Sequence, residues 1–242
     1  MATKKLFIRT FGCQMNVHDS EQLEELLKGP GYARTESAKD ADLIIVNTCS
    51  IRDKAEQKVY SQLGRYRHLK KSNPHLQIGV CGCVAQQQGE RLLEKAPFLD
   101  LVIGTHNLDR LPECIARARQ TGRPVVETGF RKAVPSIGIP TFPAKHSVSA
   151  FVTIMQGCDN YCAFCVVPYL RGREESRKFE DILAEVKALA AHGVKEVTLL
   201  GQNVNSYGIS PGGGQSFAEL LRAIGGIGGI ERVRFTTSHP KD

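Results

Sequence analysis

"ADLIIVNT", residues 41–48, is an apolar run of strand length that is followed directly by a cysteine. Similar runs lie on both sides of it in the first half of the chain: KLFIRT (5–10), LQIGVCG (76–82) and LDLVIG (99–104). Helical patterns separate these runs, and strands that alternate with helices are typical of a parallel sheet. The pattern therefore predicts an α/β fold.

Two helices are predicted between the first three strands. The first carries Leu23, Leu26 and Leu27 on one face, with Asp19 as its N-cap and Gly29 at its end. The second is indicated by apolar residues at helical spacing, namely Ile51, Ala55, Val59 and Leu63. These apolar positions are expected to pack in the core.

A second unit is predicted after a segment rich in Gly, Pro and Ser, ETGFRKAVPSIGIPTFPAKHS (127–147). This segment has no apolar face to bury, so we expect the domain boundary within 130–148. Three further strands follow: AFVTIM (150–155), VKEVTLL (194–200) and RVRFTT (232–237), with helical patterns at 178–192 and 217–224. The second unit therefore reads as half of a parallel α/β barrel.

Composition limits the class of protein. The 242 residues are 41% hydrophobic and 24% charged, which allows a buried core in one large or two ordinary domains. No apolar run approaches the roughly 20 residues that span a bilayer, and a cytoplasmic protein is expected. The formal charge of +7 suits a polyanionic partner, although a solvated basic surface explains it equally well.

Cysteines follow three of the predicted strands, at Cys13, Cys49 and Cys83. Because the carboxyl ends of parallel strands share one edge of a sheet, the three thiolates are expected to converge there. The alternative is that each is a small buried hydrophobe, and this interpretation is preferred for Cys81 and Cys114. Repetition at strand ends favours a ligand role for the first three.

A second group of cysteines lies in GCDNYCAFC (157–165), directly after the first strand of the second unit. A closed zinc site would need a fourth donor, and Asp159 is too near Cys158 to supply it. A [4Fe–4S] cluster held by Cys158, Cys162 and Cys165 would instead leave one iron open for a substrate or cofactor. A nucleic-acid-binding module with structural zinc remains the alternative from another class.

The C-x3-C-x2-C spacing, with Phe164 before the last cysteine, resembles the radical S-adenosylmethionine enzymes. Further segments make the chain resemble the methylthiotransferases within that superfamily: TFGCQMNVHDSE (10–21), NTCSIRDKAEQKV (47–59), CGCVAQ (81–86), GCDNYCAFCVVPYLRGREESR (157–177) and LLGQNVNSYG (199–208). The resemblance implies addition of a methylthio group to C2 of N6-isopentenyladenosine beside the anticodon of tRNA. Methylthiolation of another modified adenosine or of a ribosomal protein remains an alternative.

The same resemblance implies the cofactors and partners. It assigns an auxiliary [4Fe–4S] cluster to the first cysteine trio, and a radical [4Fe–4S] cluster with S-adenosylmethionine to the second. The residues it implies for cofactor binding are Phe164, Ser176, Arg177, Gly201, Gln202 and Asn203, although the glycine–amide loop could be an ordinary turn. The implied partners are the tRNA anticodon stem-loop and a flavodoxin-type electron donor, with a monomeric full-length protein and no membrane.

Basic side chains are the candidates for phosphate contacts: Lys54, Lys58, Arg65, Arg67, Lys70, Lys71, Arg171 and Arg173. A solvated helix face is the alternative for each of them. His106 follows the fourth strand at the same predicted edge as the first trio, where packing or capping is preferred to a ligand role.

The resemblance also predicts the domain organisation. Residues 1–140 correspond to the methylthiotransferase domain with the auxiliary cluster, and residues 148–242 to the radical S-adenosylmethionine core. Cores of that superfamily usually have six β/α units, and members of this family add a C-terminal RNA-binding β-barrel domain. The sequence shows about three units of the core and no such barrel, so it is expected to be an N-terminal fragment.

Overall fold

The computed structural model describes residues 3–50, 53–131, 147–209 and 214–242. The chain divides into two compact units, Met1–Pro135 and Ser136–Asp242. Most of the predicted boundary at 130–148 lies outside the described residues, as does Ile51 of the second predicted helix. Each unit has its own sheet and its own hydrophobic core.

The described part of the first unit is built on a six-stranded parallel sheet with the order β2-β1-β3-β4-β5-β6. Its strands are β1 (Lys4–Thr10), β2 (Tyr32–Arg34), β3 (Leu43–Thr48), β4 (Gln77–Gly82), β5 (Leu101–Ile103) and β6 (Val125–Glu127). Its helices are α1 (Gln14–Lys28), α2 (Asp53–Ser72), α3 (Cys83–Gln88), α4 (Arg91–Lys95) and α5 (Leu111–Thr121). Every residue of β3 and β4 is buried, as expected for central strands of a parallel sheet.

The second unit has a parallel three-stranded sheet, β11-β10-β7, and a short antiparallel pair, β8-β9. Its strands are β7 (Ser149–Thr153), β8 (Met155–Gln156), β9 (Glu175–Ser176), β10 (Glu196–Leu200) and β11 (Arg232–Phe235). Its helices are α6 (Val167–Arg171), α7 (Phe179–Ala191) and α8 (Phe217–Gly225). Apolar side chains of α7 and α8, including Val186 and Leu220, pack in one core with those of β7 and β10.

The α/β fold class and all seven predicted strands are confirmed, although AFVTIM divides into β7 and β8. Three strands were missed, β2, β6 and β9. Strands β2 and β6 have three residues each, of which only the first is buried, and β9 has two half-buried residues. The predicted N-cap of the first helix was wrong. Asp19 lies buried inside α1, which begins directly after Cys13, where the Cys13 N–H donates to the Asn16 side chain.

The interpretation of Cys81 and Cys114 as core residues agrees with their burial. Burial raises the pKa of both thiols, so they stay protonated at pH values at which an ordinary cysteine begins to ionise. We expect Cys81→Ala and Cys114→Ala each to lower the free energy of unfolding by about 1 kcal/mol. Both thiols should resist alkylation in the native protein; rapid labelling of either would contradict this prediction.

Candidate functional site

The first cysteine trio lies at the carboxyl edge of the first sheet. Cys13, Cys49 and Cys83 follow β1, β3 and β4, which are adjacent strands. Cys49 and Cys83 are buried, whereas Cys13 is exposed. The sheet order therefore brings together three turns that are far apart in sequence.

Two glycines allow these turns to touch. Gly12 has a φ of +138°, and a Cβ at this position would lie 2.4 Å from Cβ of Cys49. Gly82 has a φ of +87°, and its Cβ would lie 2.5 Å from the Thr48 carbonyl oxygen. Each glycine precedes a cysteine, and neither position has room for a side chain.

A buried polar network crosses the same edge. The Asn16 amide nitrogen donates to the Thr48 carbonyl oxygen at 3.0 Å, and the Asn47 amide nitrogen donates to the Asn16 carbonyl oxygen at 2.9 Å. The Thr48 hydroxyl donates to the Cys81 carbonyl oxygen at 2.6 Å and accepts from the Val84 N–H at 3.2 Å. The network links α1, β3, β4 and α3. The sequence interpretation missed it, although Asn47 and Thr48 at the end of a buried strand were a signal.

The residues at this edge fit a group held by three thiolates. Among the described residues, no three Cys, His, Asp or Glu side chains form a ready metal-binding group, so the sulfur atoms would have to turn toward a shared centre. The turns that carry them are already in contact through Gly12 and Gly82. Thiolates are the usual ligands of iron–sulfur clusters, so the donor chemistry matches that group.

The second trio lies in the loop between β8 and α6. Gly157 begins this loop with a φ of +79°, and its N–H donates to Oε1 of Gln202 at 2.6 Å. The Cys158 N–H donates to the Gly172 carbonyl oxygen at 3.3 Å, and the Cys165 N–H to the Cys162 carbonyl oxygen at 2.9 Å. These bonds tie the loop to the segment before β9 and to the end of β10.

The three thiols of the second trio differ in burial. Burial raises the pKa of the Cys158 thiol, while Cys162 and Cys165 are partly exposed. Nε2 of His239 lies 3.4 Å from the Cys162 sulfur. The Asp159 carboxylate accepts from Arg173 at 3.1 Å, so it is engaged in an ion pair. Three thiols on one short loop fit the same kind of cluster as the first trio.

The structure assigns protein partners to several predicted cofactor residues. Arg177 donates to the Thr153 carbonyl oxygen and to Glu185, each at 2.7 Å, and this ion pair is largely buried. The Ser176 hydroxyl accepts from the Gly208 N–H at 3.1 Å. Asn203 is 1% exposed, and its amide oxygen accepts from the His239 N–H at 3.0 Å.

Of the other three predicted cofactor residues, Phe164 belongs to the cysteine loop itself, and Gly201 and Gln202 follow β10. Phe164 is 91% exposed. The Gln202 side chain accepts a hydrogen bond from the Gly157 N–H and so positions the start of the loop. Gly201 has no room for a side chain, because a Cβ there would lie 2.5 Å from Cγ of Met155. Cofactor binding by all six residues stays a prediction.

The basic candidates separate into exposed and engaged side chains. On α2, the exposed ones are Lys58, Arg65, Arg67 and Lys71, whereas the side chain of Lys54 lies outside the described part. Lys70 is half-buried and pairs with Asp100, and Arg171 is only 4% exposed. Lys70 and Arg171 are therefore poorer candidates for phosphate contacts than the exposed side chains of α2. Arg173 is exposed but is paired with Asp159.

His106 is buried and packs edge-on against the ring of Phe130, with ring centroids 4.8 Å apart. This contact agrees with a packing role. Within the described segments, no helix has both the length and the apolar composition that crossing a membrane requires.

Two family models match the chain, one on each unit. Residues 5–104 match "Uncharacterized protein family UPF0004", and residues 152–242 match the radical SAM superfamily. Among solved structures, the fold is similar to the radical S-adenosylmethionine methyltransferase TsrM from Kitasatospora setae, with 13% identity and a TM-score of 0.60 over 91% of this chain and 52% of that one. It is also similar to the cobalamin-dependent radical enzyme OxsB, with 14% identity and a TM-score of 0.55 over 92% of this chain and 36% of that one. These likenesses support the fold.

Curated relatives are much more similar in sequence. The tRNA-2-methylthio-N(6)-dimethylallyladenosine synthase of Syntrophus aciditrophicus is 59% identical over 99% of this chain and 52% of its own length. The protein of the same name from Geotalea uraniireducens is 56% identical over 99% of this chain and 54% of its own length. The chain thus spans about half the length of the curated relatives it matches. With both cysteine trios present, the chain is similar along nearly its whole length to the methylthiotransferases among the radical S-adenosylmethionine enzymes.

Proposed function

We propose that this chain carries the cluster-binding units of a tRNA methylthiotransferase that adds a methylthio group to C2 of N6-isopentenyladenosine beside the anticodon. The observation that carries the proposal is the presence of two cysteine trios on separate units, each at the carboxyl end of a parallel strand or just beyond it. Support for the substrate comes from the relatives, which are named tRNA-2-methylthio-N(6)-dimethylallyladenosine synthase.

The second unit is proposed to hold a radical [4Fe–4S] cluster through Cys158, Cys162 and Cys165. When bound, this cluster and S-adenosylmethionine supply the one-electron chemistry that generates a carbon radical. The protein's part is positioning. Gln202 fixes the start of the loop through Gly157, and the buried Arg177–Glu185 pair supports the segment around β9. Cys158 must lose its proton to serve as a ligand, and its raised pKa makes that loss dependent on the metal.

The first unit is proposed to hold an auxiliary [4Fe–4S] cluster through Cys13, Cys49 and Cys83, so that the full complement is two clusters. These cysteines lie on rigid strand ends, and the buried amide network restrains the turns around them. Cys49 and Cys83 are buried, which limits water access to a reactive sulfur species from their side, whereas Cys13 is exposed. The proposed role of this edge is to hold the sulfur that is transferred.

The RNA is proposed to contact the exposed basic side chains of α2. Lys58, Arg65 and Lys71 are exposed, and the chain has a net charge of +7, which favours a polyanion. A tRNA substrate and a flavodoxin-type electron donor place the proposed reaction in the cytoplasm. The full-length protein is proposed to be a monomer.

The proposed substrate is tested by mass spectrometry of tRNA nucleosides from cells that lack the gene. We expect 2-methylthio-N6-isopentenyladenosine to disappear and N6-isopentenyladenosine to accumulate, because the preceding modification does not need this protein. Reintroduction of the gene should restore the methylthio nucleoside, and a copy with the second trio replaced should not. Unchanged 2-methylthio-N6-isopentenyladenosine would reject the substrate. Loss of a methylthio group from another adenosine or from a ribosomal protein would favour the corresponding alternative.

A further inference from the structure

Asn16 occupies the space between two of the cysteine-bearing turns. Its amide oxygen accepts from the Cys13 N–H at 3.3 Å and lies 3.3 Å from the Cys13 sulfur. Its amide nitrogen donates to the Thr48 carbonyl oxygen at 3.0 Å and to Oδ1 of Asn47 at 3.3 Å. One side chain therefore joins the Cys13 turn to the residue that precedes Cys49.

The surroundings favour one orientation of this amide. Asn16 is 0% exposed, so its polar atoms depend on protein partners. If the amide oxygen and nitrogen exchanged places, the nitrogen would face the Cys13 N–H and the oxygen would face the Thr48 carbonyl. Both contacts would be repulsive, because a donor would meet a donor and an acceptor an acceptor.

Asn47 and Ser20 hold the main chain of α1 at Asn16. Nδ2 of Asn47 donates to the Asn16 carbonyl oxygen and to the Ser20 hydroxyl, each at 2.9 Å. The Ser20 hydroxyl also lies 2.8 Å from that of Thr10 at the end of β1. Within the described part of the chain, the Ser20 hydroxyl bonds to Thr10, Asn47 and the Asn16 carbonyl oxygen, so Ser20 belongs to the network without bonding to a candidate ligand.

We infer that Asn16 is a positioning residue for the group held by Cys13, Cys49 and Cys83. It sets the separation of the Cys13 and Cys49 turns, because its amide bonds to the Cys13 N–H on one side and to the Thr48 carbonyl oxygen on the other, and it places the oxygen end of its dipole at the Cys13 turn. This inference rests on the proposed function, which assigns an iron–sulfur cluster to these cysteines. Removing a partner that orients a metal ligand typically weakens metal binding about 10–100-fold, and local dipoles change the reduction potential of a cluster.

The test uses the whole chain with Cys158, Cys162 and Cys165 replaced by alanine, so that only the first trio can hold a cluster. In this background, Asn16→Ala should increase the rate of iron loss to a chelator about 10–100-fold. It should also raise the midpoint potential, because the Cys13 N–H loses its acceptor and the negative end of the amide dipole is removed from the Cys13 turn. Ser20→Ala is the matched control: it removes hydrogen bonds from the same network and should lower thermal stability, but iron retention and potential should stay close to those of the parent.

Asn16→Asp is the second variant, in case Asn16→Ala does not fold. It keeps the shape and the acceptor for the Cys13 N–H, but an ionised carboxylate cannot donate to Thr48, so it should also lose iron faster than the parent. If the parent binds iron and the Asn16 variants behave like Ser20→Ala, the inference is wrong while the proposed function stands. If the parent itself takes up no iron, the proposed auxiliary cluster fails, and the inference fails with it.

Discussion

Replacement of Cys158, Cys162 and Cys165 by alanine is expected to abolish reductive cleavage of S-adenosylmethionine. These residues are the only cysteines of the second unit, so no other thiol there can hold the radical cluster. The first trio lies in a separate unit and should keep its iron. Production of 5′-deoxyadenosine by the reconstituted protein, under reducing and anaerobic conditions, is the measurement.

The reciprocal variant is the matched control. Replacement of Cys13, Cys49 and Cys83 should retain cleavage of S-adenosylmethionine and end methylthio transfer, because only the proposed sulfur-holding edge is removed. Persistent 5′-deoxyadenosine in the first variant would contradict the assignment of the second trio. Loss of both clusters from either variant would show that the two trios do not act as independent sites.

Gly157→Ala is expected to destroy the second cysteine loop. A Cβ at this position would lie 2.0 Å from the Arg173 carbonyl oxygen, and the φ of +79° is unfavourable for alanine. The cost should exceed the roughly 1–2 kcal/mol that a left-handed backbone alone imposes, because main-chain atoms must also move. Movement of Gly157 would break its bond to Gln202, so the second unit should lose its iron while the first retains it.

Gly193→Ala provides the control for backbone strain. Gly193 has a φ of +92° in the same unit, but a Cβ there would meet nothing within 4 Å. This variant should cost about 1–2 kcal/mol and keep the iron of both units. The iron content and the thermal unfolding temperature of both variants should be measured. If Gly157→Ala and Gly193→Ala lose the same amount of iron, the steric conflict in the cysteine loop has no specific effect on the cluster.

The sequence predictions that the structure confirms are those of strands and helices with a clear apolar pattern along the chain. The apolar runs at 43–48 and 77–82 form fully buried central strands, and the helical patterns at 178–192 and 217–224 correspond to α7 and α8. Short edge strands such as β2 lack such a pattern. Asp19 was misassigned because a strand-to-helix turn at Cys13 starts the helix earlier than a preferred capping residue indicates.

The position of Cys13, Cys49 and Cys83 at one sheet edge was predictable, because the carboxyl ends of parallel strands share an edge whatever their order in the sheet. The residues that restrain these cysteines were not predictable, since their hydrogen bonds join positions such as Asn16 and Thr48 that only the fold brings together. The partners of charged side chains were not predictable for the same reason. Lys70, a candidate for phosphate contacts, pairs with Asp100, and Arg177, a candidate for cofactor binding, pairs with Glu185, and both pairs form only through tertiary packing.

The central claim is that each unit holds one [4Fe–4S] cluster through its own cysteine trio. Its most direct test is the iron and sulfide content of the whole chain after anaerobic reconstitution, compared with the two trio variants. The account predicts about eight irons per chain for the parent and about four for each variant, with matching sulfide. Stoichiometric zinc without iron or sulfide would contradict it and favour a structural zinc module that binds nucleic acid.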